Sequence, residues 1–430
     1  MLVFALRFST RLKQIIALVG LCVACLSLAL ITISHFVVRT LADADVVTTR
    51  ATLATAAAYF PHSAQLQARL AAVELAESMG EEDALKQAEA AALSAVRLSP
   101  WRSDNHFLLA SVRNLQSDLD ASEISMRTAV KLAPNYPQVH WLLANLLIRQ
   151  DKVEEAFKEF QAAIALDPSS RFLPGAMDTV WTISEGNLDK LIAVVGNRPK
   201  DVLALAQYLL RQSRPTEATG LVKRIARQEL VELPAAAEFV DALLSQKQVV
   251  LARDLWGYLT ENENPSNALS NGSFEREASQ KLTQFDWKIS QSKFANLAID
   301  STLAHTGNNS LRIIFTGKDT TVLDREISQT VVVNPNVHYL LEYFAKTERL
   351  ITTEGIRVVV ADFASSTLLG TSTPITAGST DWQSGTVDFV APANTQAIVV
   401  TIKRTPKFSY DEPTKGKVWF DDFSLREKTR

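Results

Sequence analysis

Pro100, Pro134 and Pro168 fall at a constant interval of 34 residues, and each closes a similar phrase. The phrases are Ala95-Val96-Arg97-Leu98-Ser99-Pro100, Ala129-Val130-Lys131-Leu132-Ala133-Pro134 and Ala163-Ile164-Ala165-Leu166-Asp167-Pro168. A fixed period of this size means stacked copies of one supersecondary unit rather than a single globular core. Proline ends a helix because it lacks an amide hydrogen and clashes with the preceding turn. Each phrase therefore reads as a helix end, and each period as a pair of helices. One such pair cannot bury its apolar face, so pairs must stack into a curved rod.

The clearest copy runs from Pro137 to Pro168. Leu143, Ala144, Leu147, Ala156, Phe160, Ala163 and Pro168 stand at the signature offsets of the tetratricopeptide repeat (TPR) family, which this stretch resembles. Small residues such as Ala144 and Ala156 let two helices approach closely, and large ones such as Leu143 and Phe160 fill the space between pairs. The copy before it offers Leu109, Ala110, Ala129 and Pro134, with Ser122 and Met126 at the usual small and aromatic positions. The earliest offers Leu75, Ala76, Ala88, Ala92, Ala95 and Pro100. Past Pro168 the period blurs, although Arg171–Trp181, Val202–Gln212, Glu217–Glu229, Ala235–Leu244 and Val249–Leu259 keep helical patterning. The reading is an all-α TPR-like solenoid over residues 46–260 with about six pairs.

Ahead of the repeats, Ile15 to Val38 contains no Asp, Glu, Lys or Arg. About 20 apolar residues span a bilayer as a helix. Arg7, Arg11 and Lys13 precede the run, and Arg39, Asp43 and Asp45 follow it. The excess of positive charge on the first side predicts a cytoplasmic tail (1–14), a transmembrane anchor (15–38) and an extracytoplasmic remainder. A cleaved signal peptide is the alternative, because Ala42-Asp43-Ala44 has the small-x-small form of a cleavage site. Cys22 and Cys25, the only cysteines, lie inside the run, so the exported part has no disulfide.

After the polar stretch 261–267, read as a linker, the patterning changes to period two. Val337, Tyr339, Leu341, Tyr343 and Ala345 share one face of a strand. Val331–Val333, Ile356–Val360, Thr386–Val390, Ile398–Ile402 and Val418–Leu425 read as further strands. Eight to ten strands in residues 268–430 predict an all-β jelly-roll sandwich. Asn271-Gly272-Ser273-Phe274-Glu275, His305-Thr306-Gly307-Asn308-Asn309-Ser310, Tyr339–Lys346, Asp381-Trp382 and Trp419–Leu425 follow one another in order. In that order the stretch resembles carbohydrate-binding modules of the family 4/9/22 kind, within the galactose-binding-like jelly rolls.

The resemblance implies a structural Ca2+ where the first and last strands meet, with Glu275 and Asp421 or Asp422 as its carboxylates. The alternative is that the two aspartates bulge the last strand and bond to backbone amides. A sugar would need an aromatic platform with polar neighbours. Trp287, Phe344, Lys346, Trp382, Arg404 and Tyr410 are the candidate contacts, against a role in packing for each.

The net charge of −3, from 44 basic and 47 acidic residues, argues against nucleic acid as a partner. No pair of the six histidines has metal-ligand spacing, and there is no phosphate loop or nucleophile elbow. His106 and His140 occupy the same repeat position, and His305 and His338 read as structural. No catalytic residue is assigned. These expectations describe an interaction or scaffold protein of the bacterial inner membrane, with its bulk in the periplasm. It would bind protein on the solenoid and polysaccharide on the sandwich, in envelope or exopolysaccharide assembly. A dedicated glycan-binding protein with the solenoid as spacer is the alternative, and an unrecognised enzyme a more distant one.

Overall fold

The computed structural model describes residues 11–43, 46, 48–78, 81–261, 269–276, 282–317, 321–376, 378–408 and 413–428. The chain divides into two compact units, Met1–Gly196 and Asn197–Arg430. The first holds ten helices among its described residues: α1 (Arg11–Ala42), α2 (Arg50–Tyr59), α3 (Ala64–Glu77), α4 (Glu82–Leu98), α5 (Ser103–Leu115), α6 (Leu119–Leu132), α7 (Pro137–Arg149), α8 (Val153–Leu166), α9 (Leu173–Ile183) and α10 (Leu188–Val195).

The proline phrases end helices as expected: α4, α6 and α8 each stop two residues before Pro100, Pro134 and Pro168. In the clearest copy Ala144, Leu147, Ala156, Phe160 and Ala163 are fully buried and Leu143 nearly so. Ser122 takes a small-residue position in the preceding copy without penalty, because its hydroxyl donates to Ala110 O at 2.7 Å. The earliest copy departs from the expected phase. Ala71 is fully buried and packs with Ala91, Ala92 and Leu109, whereas Ala76 is exposed. The reason is length: α4 has 17 residues where α6 and α8 have 14. An extra turn therefore separates the small residue of α3 from its partner in α4.

The turns carry the repeat further than the side chains do. Ser117, Asp151 and Glu185 lie 34 residues apart, each in the left-handed region with φ between 53° and 64°. Each follows the first helix of a pair. The next amide (Asp118, Lys152, Gly186) donates back to Arg113, Leu147 and Trp181 carbonyls at 2.9–3.0 Å. The left-handed residue itself donates to Asn114, Ile148 and Thr182. Together these are the two bonds of a Schellman helix end.

α1 contains a 28-residue stretch, Ile15–Ala42, of mean hydropathy 2.7, long and apolar enough to cross a membrane. Its most apolar window is unburied, unlike the core helix of a soluble protein. Its last turn behaves differently. Val38, Leu41 and Ala42 pack on the buried Leu53, Ala56 and Leu66 of α2 and α3.

The second unit begins with α11 (Pro199–Arg211), α12 (Pro215–Val222), α13 (Arg227–Val231), α14 (Pro234–Ser245) and α15 (Val249–Thr260). The helix expected over Glu217–Glu229 is broken, since α12 ends at Val222 and α13 starts at Arg227. Ser213 and Lys247 repeat the left-handed turn and both of its bonds, again 34 residues apart. The step from Glu185 to Ser213 is 28, so the phase slips where one unit ends and the next begins.

Ten strands follow: β1 (Lys288–Ile289), β2 (Ala295–Asp300), β3 (Ser310–Thr316), β4 (Ile327–Val332), β5 (His338–Ile351), β6 (Arg357–Asp362), β7 (Leu368–Thr371), β8 (Gly378–Val390), β9 (Ala397–Lys403) and β10 (Lys415–Glu427). They form two five-stranded antiparallel sheets of order β1-β4-β9-β6-β7 and β2-β3-β10-β5-β8. Between them lies the core, with Tyr339, Leu341, Tyr343 and Ala345 inward as the alternation predicts. Helices and strands share contacts within this unit: Trp256 Nε1 donates to Leu282 O at 2.9 Å, and Gln284 Nε2 to Asp241 Oδ1 at 3.2 Å. Residues 262–267 of the expected linker lie outside the described residues.

The left-handed turns and one buried histidine make the helical fold testable. A left-handed backbone costs an ordinary residue about 1–2 kcal/mol, and glycine's looser unfolded chain gives back part of that gain, about 0.5–1 kcal/mol. Lys247→Gly, at an exposed turn, should stabilise the protein by roughly 0.5–1 kcal/mol; a lower denaturation midpoint would contradict the assignment. His140 supplies a pH dependence. Its Nδ1 lies 2.6 Å from Glu159 Oε2 and its Nε2 2.9 Å from Pro134 O, so only the imidazolium donates from both nitrogens. The Glu159 hydrogen bond, working against burial, raises its pKa above the ordinary histidine value. The charged groups Glu123, Arg127, Lys152 and Glu155 of α6 and α8 and the turn before α8 pair among themselves. A raised folded pKa stabilises fully below the unfolded value of about 6.5 and is lost as pH climbs through the folded value. Melting temperatures of wild type and His140→Ala should therefore converge between about pH 6 and about pH 9; a constant gap would reject the imidazolium.

Candidate functional site

The alternation that buries Tyr343 and Ala345 turns Phe344 and Lys346 to the outer face of the sheet β2-β3-β10-β5-β8. Phe344 stands opposite Ser384 of β8 and Asp421 of β10, and Lys346 opposite Trp419. A register shift between Ala345 and Thr347 brings β8 within reach, so Lys346 Nζ meets Asp381 Oδ1 at 2.6 Å. The Lys346 ammonium holds the Asp381 carboxyl below the usual carboxylate range. The other side of that carboxyl is already engaged locally, since the Trp382 amide donates to Asp381 Oδ1 at 2.9 Å.

A loop delivers the third ring. The His305 imidazole lies flat on Phe344, with centroids 3.7 Å apart and planes 14° from parallel. Trp382 stands at 63° to it with centroids 5.6 Å apart. Asp422 fixes the imidazole, with Oδ2 2.6 Å from His305 Nδ1, while its Oδ1 accepts from Thr306 Oγ1 at 2.7 Å. Asp422 reaches outward because β10 bulges between Asp421 and Ser424 and Asp422 adopts φ 49°. Asp421 stays buried and accepts the amides of His305 and Thr306 at 2.7 and 3.3 Å; burial raises its pKa, partly offset by those amides.

Below this cluster the same face is closed by Trp419, only 4% exposed. Its Nε1 donates to Asp300 Oδ2 at 2.9 Å, and Arg312 reaches the same oxygen at 3.2 Å. Burial opposes ionisation of Asp300, but hydrogen bonds from Thr302 and Trp419 and the Arg312 charge prevail and hold its pKa at about 2. The site thus combines His305 and Trp382, both half-buried, with a polar rim of Lys346, Asp381, Thr306 and Asp422. Such a rim hydrogen-bonds hydroxyls while the rings cover an apolar face.

Three of the six predicted contacts meet here: Phe344, Lys346 and Trp382. Phe344 does so as the floor beneath His305, which covers one of its faces. Two others need correction. Trp287 is 2% exposed and packs on Phe274 and Phe423 at 5.3 and 4.9 Å, so it belongs to the core. Arg404 is fully buried, its guanidinium donating to Thr321 O and Thr353 Oγ1, which ties β9 to two loops. Neither reaches a ligand. Tyr410 lies outside the described residues. His305, read as structural, is the residue that sequence reasoning missed.

The carboxylates expected to hold Ca2+ do come together around the His305–Asn309 loop. Glu275 Oε1 accepts the amides of Asn308 and Asn309 at 2.7 and 2.9 Å. Gly307 makes that approach possible, for a Cβ there would lie 2.3 Å from the same oxygen. Gly272 does the equivalent for β10, where a Cβ would meet Phe423 O at 1.9 Å. Calcium needs six to eight oxygen donors. Here the loop turns N–H groups, not carbonyls, toward Glu275 and Asp421, and both oxygens of Asp422 are taken. Among the described residues no three acidic, His or Cys side chains are arranged around a metal. The donor set as folded does not fit Ca2+; it fits the bulge-and-amide alternative.

No protein-family model and no curated protein matches the chain. Among solved structures it is similar to a CBM4 domain at 16% identity and TM-score 0.28, over 37% of this chain and 99% of that one. It is also similar to TTC0263, a TPR protein of Thermus thermophilus, at 22% identity and TM-score 0.28, over 30% and 71%. A third is TmCBM61, solved in complex with β-1,4-galactotriose, at 21% and TM-score 0.26, over 38% and 99%. The chain is a TPR-like helical array followed by a jelly roll like those of carbohydrate-binding modules, as its turns and sheets show.

If the loop is held by amides alone, chelation leaves the melting temperature of the full chain unchanged. Glu275→Ala lowers it by an amount on the order of 1–2 kcal/mol, with or without calcium. A chelator-sensitive melt, abolished by the substitution, would restore the metal.

Proposed function

We propose that this protein is a membrane-anchored, extracytoplasmic scaffold that holds a glycan on the outer face of its sandwich and a protein on its helical repeats. The observation that carries the reading is the His305, Phe344 and Trp382 cluster with its rim of Lys346, Asp381 and Asp422. Flat rings beside paired charges match a saccharide, which offers an apolar ring face edged by hydroxyls. Trp101, 84% exposed on a repeat, favours a protein partner for the solenoid. The reading assigns no chemistry to the chain: it binds polysaccharide and protein rather than transforming them, and nucleic acid is not a partner.

For location, the reading is a single pass through a bacterial inner membrane with the N-terminus in the cytoplasm. The flanking charges support the orientation. The packing of α1 supports retention over cleavage, because a cut after Ala44 would remove Val38, Leu41 and Ala42 and uncover Leu53, Ala56 and Leu66. A scaffold that grips both protein and polysaccharide suits envelope or exopolysaccharide assembly.

A glycan array probed with the full chain in nanodiscs is the direct test. Binding to a polysaccharide should weaken at least about tenfold, or roughly 1.4 kcal/mol, in Trp382→Ala and His305→Ala with melting retained. No retention on any glycan would overturn the reading.

A further inference from the structure

The first hairpin offers a surface whose occupant follows from where α1 leads. A groove of about 560 Å³ lies between α1 and α2, lined by Val37, Leu41, Ala51, Thr55, Tyr59 and Phe60. Tyr59 is 78% exposed, although it ends a helix whose other face is buried. Nothing in the repeat packing accounts for a large aromatic ring left in that position.

The direction of the helices does. α1 leaves its charge-free run at Val38 and continues for one turn into the repeat core, where Leu41 and Ala42 are packed. α2 then runs back along it, as a short connection between neighbouring helices requires. Its ten residues cover about 15 Å. Its C-terminal end, Tyr59-Phe60, therefore shares the groove with Val37, the next-to-last residue of the apolar run. No slack intervenes, because the end of α1 is itself part of the hydrophobic cluster of α2 and α3.

We infer that the α1–α2 groove and the Tyr59-Phe60 tip lie in the interfacial layer of the bilayer, with phospholipid as the occupant. This rests on the membrane-anchor reading. Tyrosine favours that layer, where its ring meets acyl chains and its hydroxyl meets water and headgroups. Arg39, exposed at the end of α1, adds a cation at the level of anionic headgroups. The first hairpin is thus a membrane-contacting foot, and the repeats beyond it carry the protein-binding surface.

The test places a photo-reactive benzoylphenylalanine at Tyr59 of the full chain, reconstituted in vesicles of phosphatidylethanolamine and phosphatidylglycerol. Ile124, exposed on α6, carries the same group as control. Illumination should give phospholipid adducts at position 59 at least tenfold above those at 124. Alkaline extraction, run in parallel, reports whether the chain is integral to the membrane. A chain that resists extraction yet gives no lipid excess at 59, or crosslinks there only to protein, overturns this inference and leaves the anchor standing. A chain released by alkali overturns both.

Discussion

The turn inside each helix pair is the constraint on which the helical half depends. Five turns share one geometry, a left-handed residue flanked by two fixed amide-to-carbonyl bonds, at Ser117, Asp151, Glu185, Ser213 and Lys247. That geometry satisfies carbonyls that a helix end would otherwise leave open, and it reverses the chain within three or four residues. Once the reversal is set, the second helix has only one direction available. Small residues such as Ala144 and Ala156 then decide how near it lies. None of the five left-handed positions is glycine, so the backbone bonds, not residue preference, hold the conformation.

The array was legible where side chains and turns agree. The proline phrases located the ends of α4, α6 and α8 because a proline acts locally, whatever surrounds it. The phase of the first copy was not legible, because the extra turn of α4 keeps the same residue types and only shifts which of them meet. The pairs beyond Pro168 lost their side-chain signature but kept their turns, which sequence pattern reads poorly when glycine is absent. Among the strands, alternation placed Tyr339 to Ala345 correctly, since a single buried face leaves one register open.

The candidate site was legible in part for the same reason. Phe344 and Lys346 followed from the alternation, and Trp382 from its neighbourhood. His305 did not, because its partners, Phe344 and Asp422, are 39 and 117 residues away and meet it only after the sheet forms. Trp287 and Arg404 misled in opposite ways. An aromatic ring beside a two-residue strand has no alternation to reveal its direction, and an arginine at a strand end looks solvent-bound until two loops fold over it. The Glu275 and Asp421 carboxylates were correctly placed near one another, but whether a loop offers them carbonyls or amides is a matter of peptide orientation that residue identity does not encode.

The continuity of α1 with the first hairpin has a mechanical consequence. A span whose apolar length exceeds the hydrocarbon thickness leans to bury itself. Most tethered proteins absorb such a lean in a pliant stalk. Here Val38, Leu41 and Ala42 are locked among Leu53, Ala56 and Leu66, so there is no stalk to absorb it. Bilayer thickness thereby becomes an input to posture: a thinner or thicker membrane would re-aim the leading repeats as a mast follows its hull.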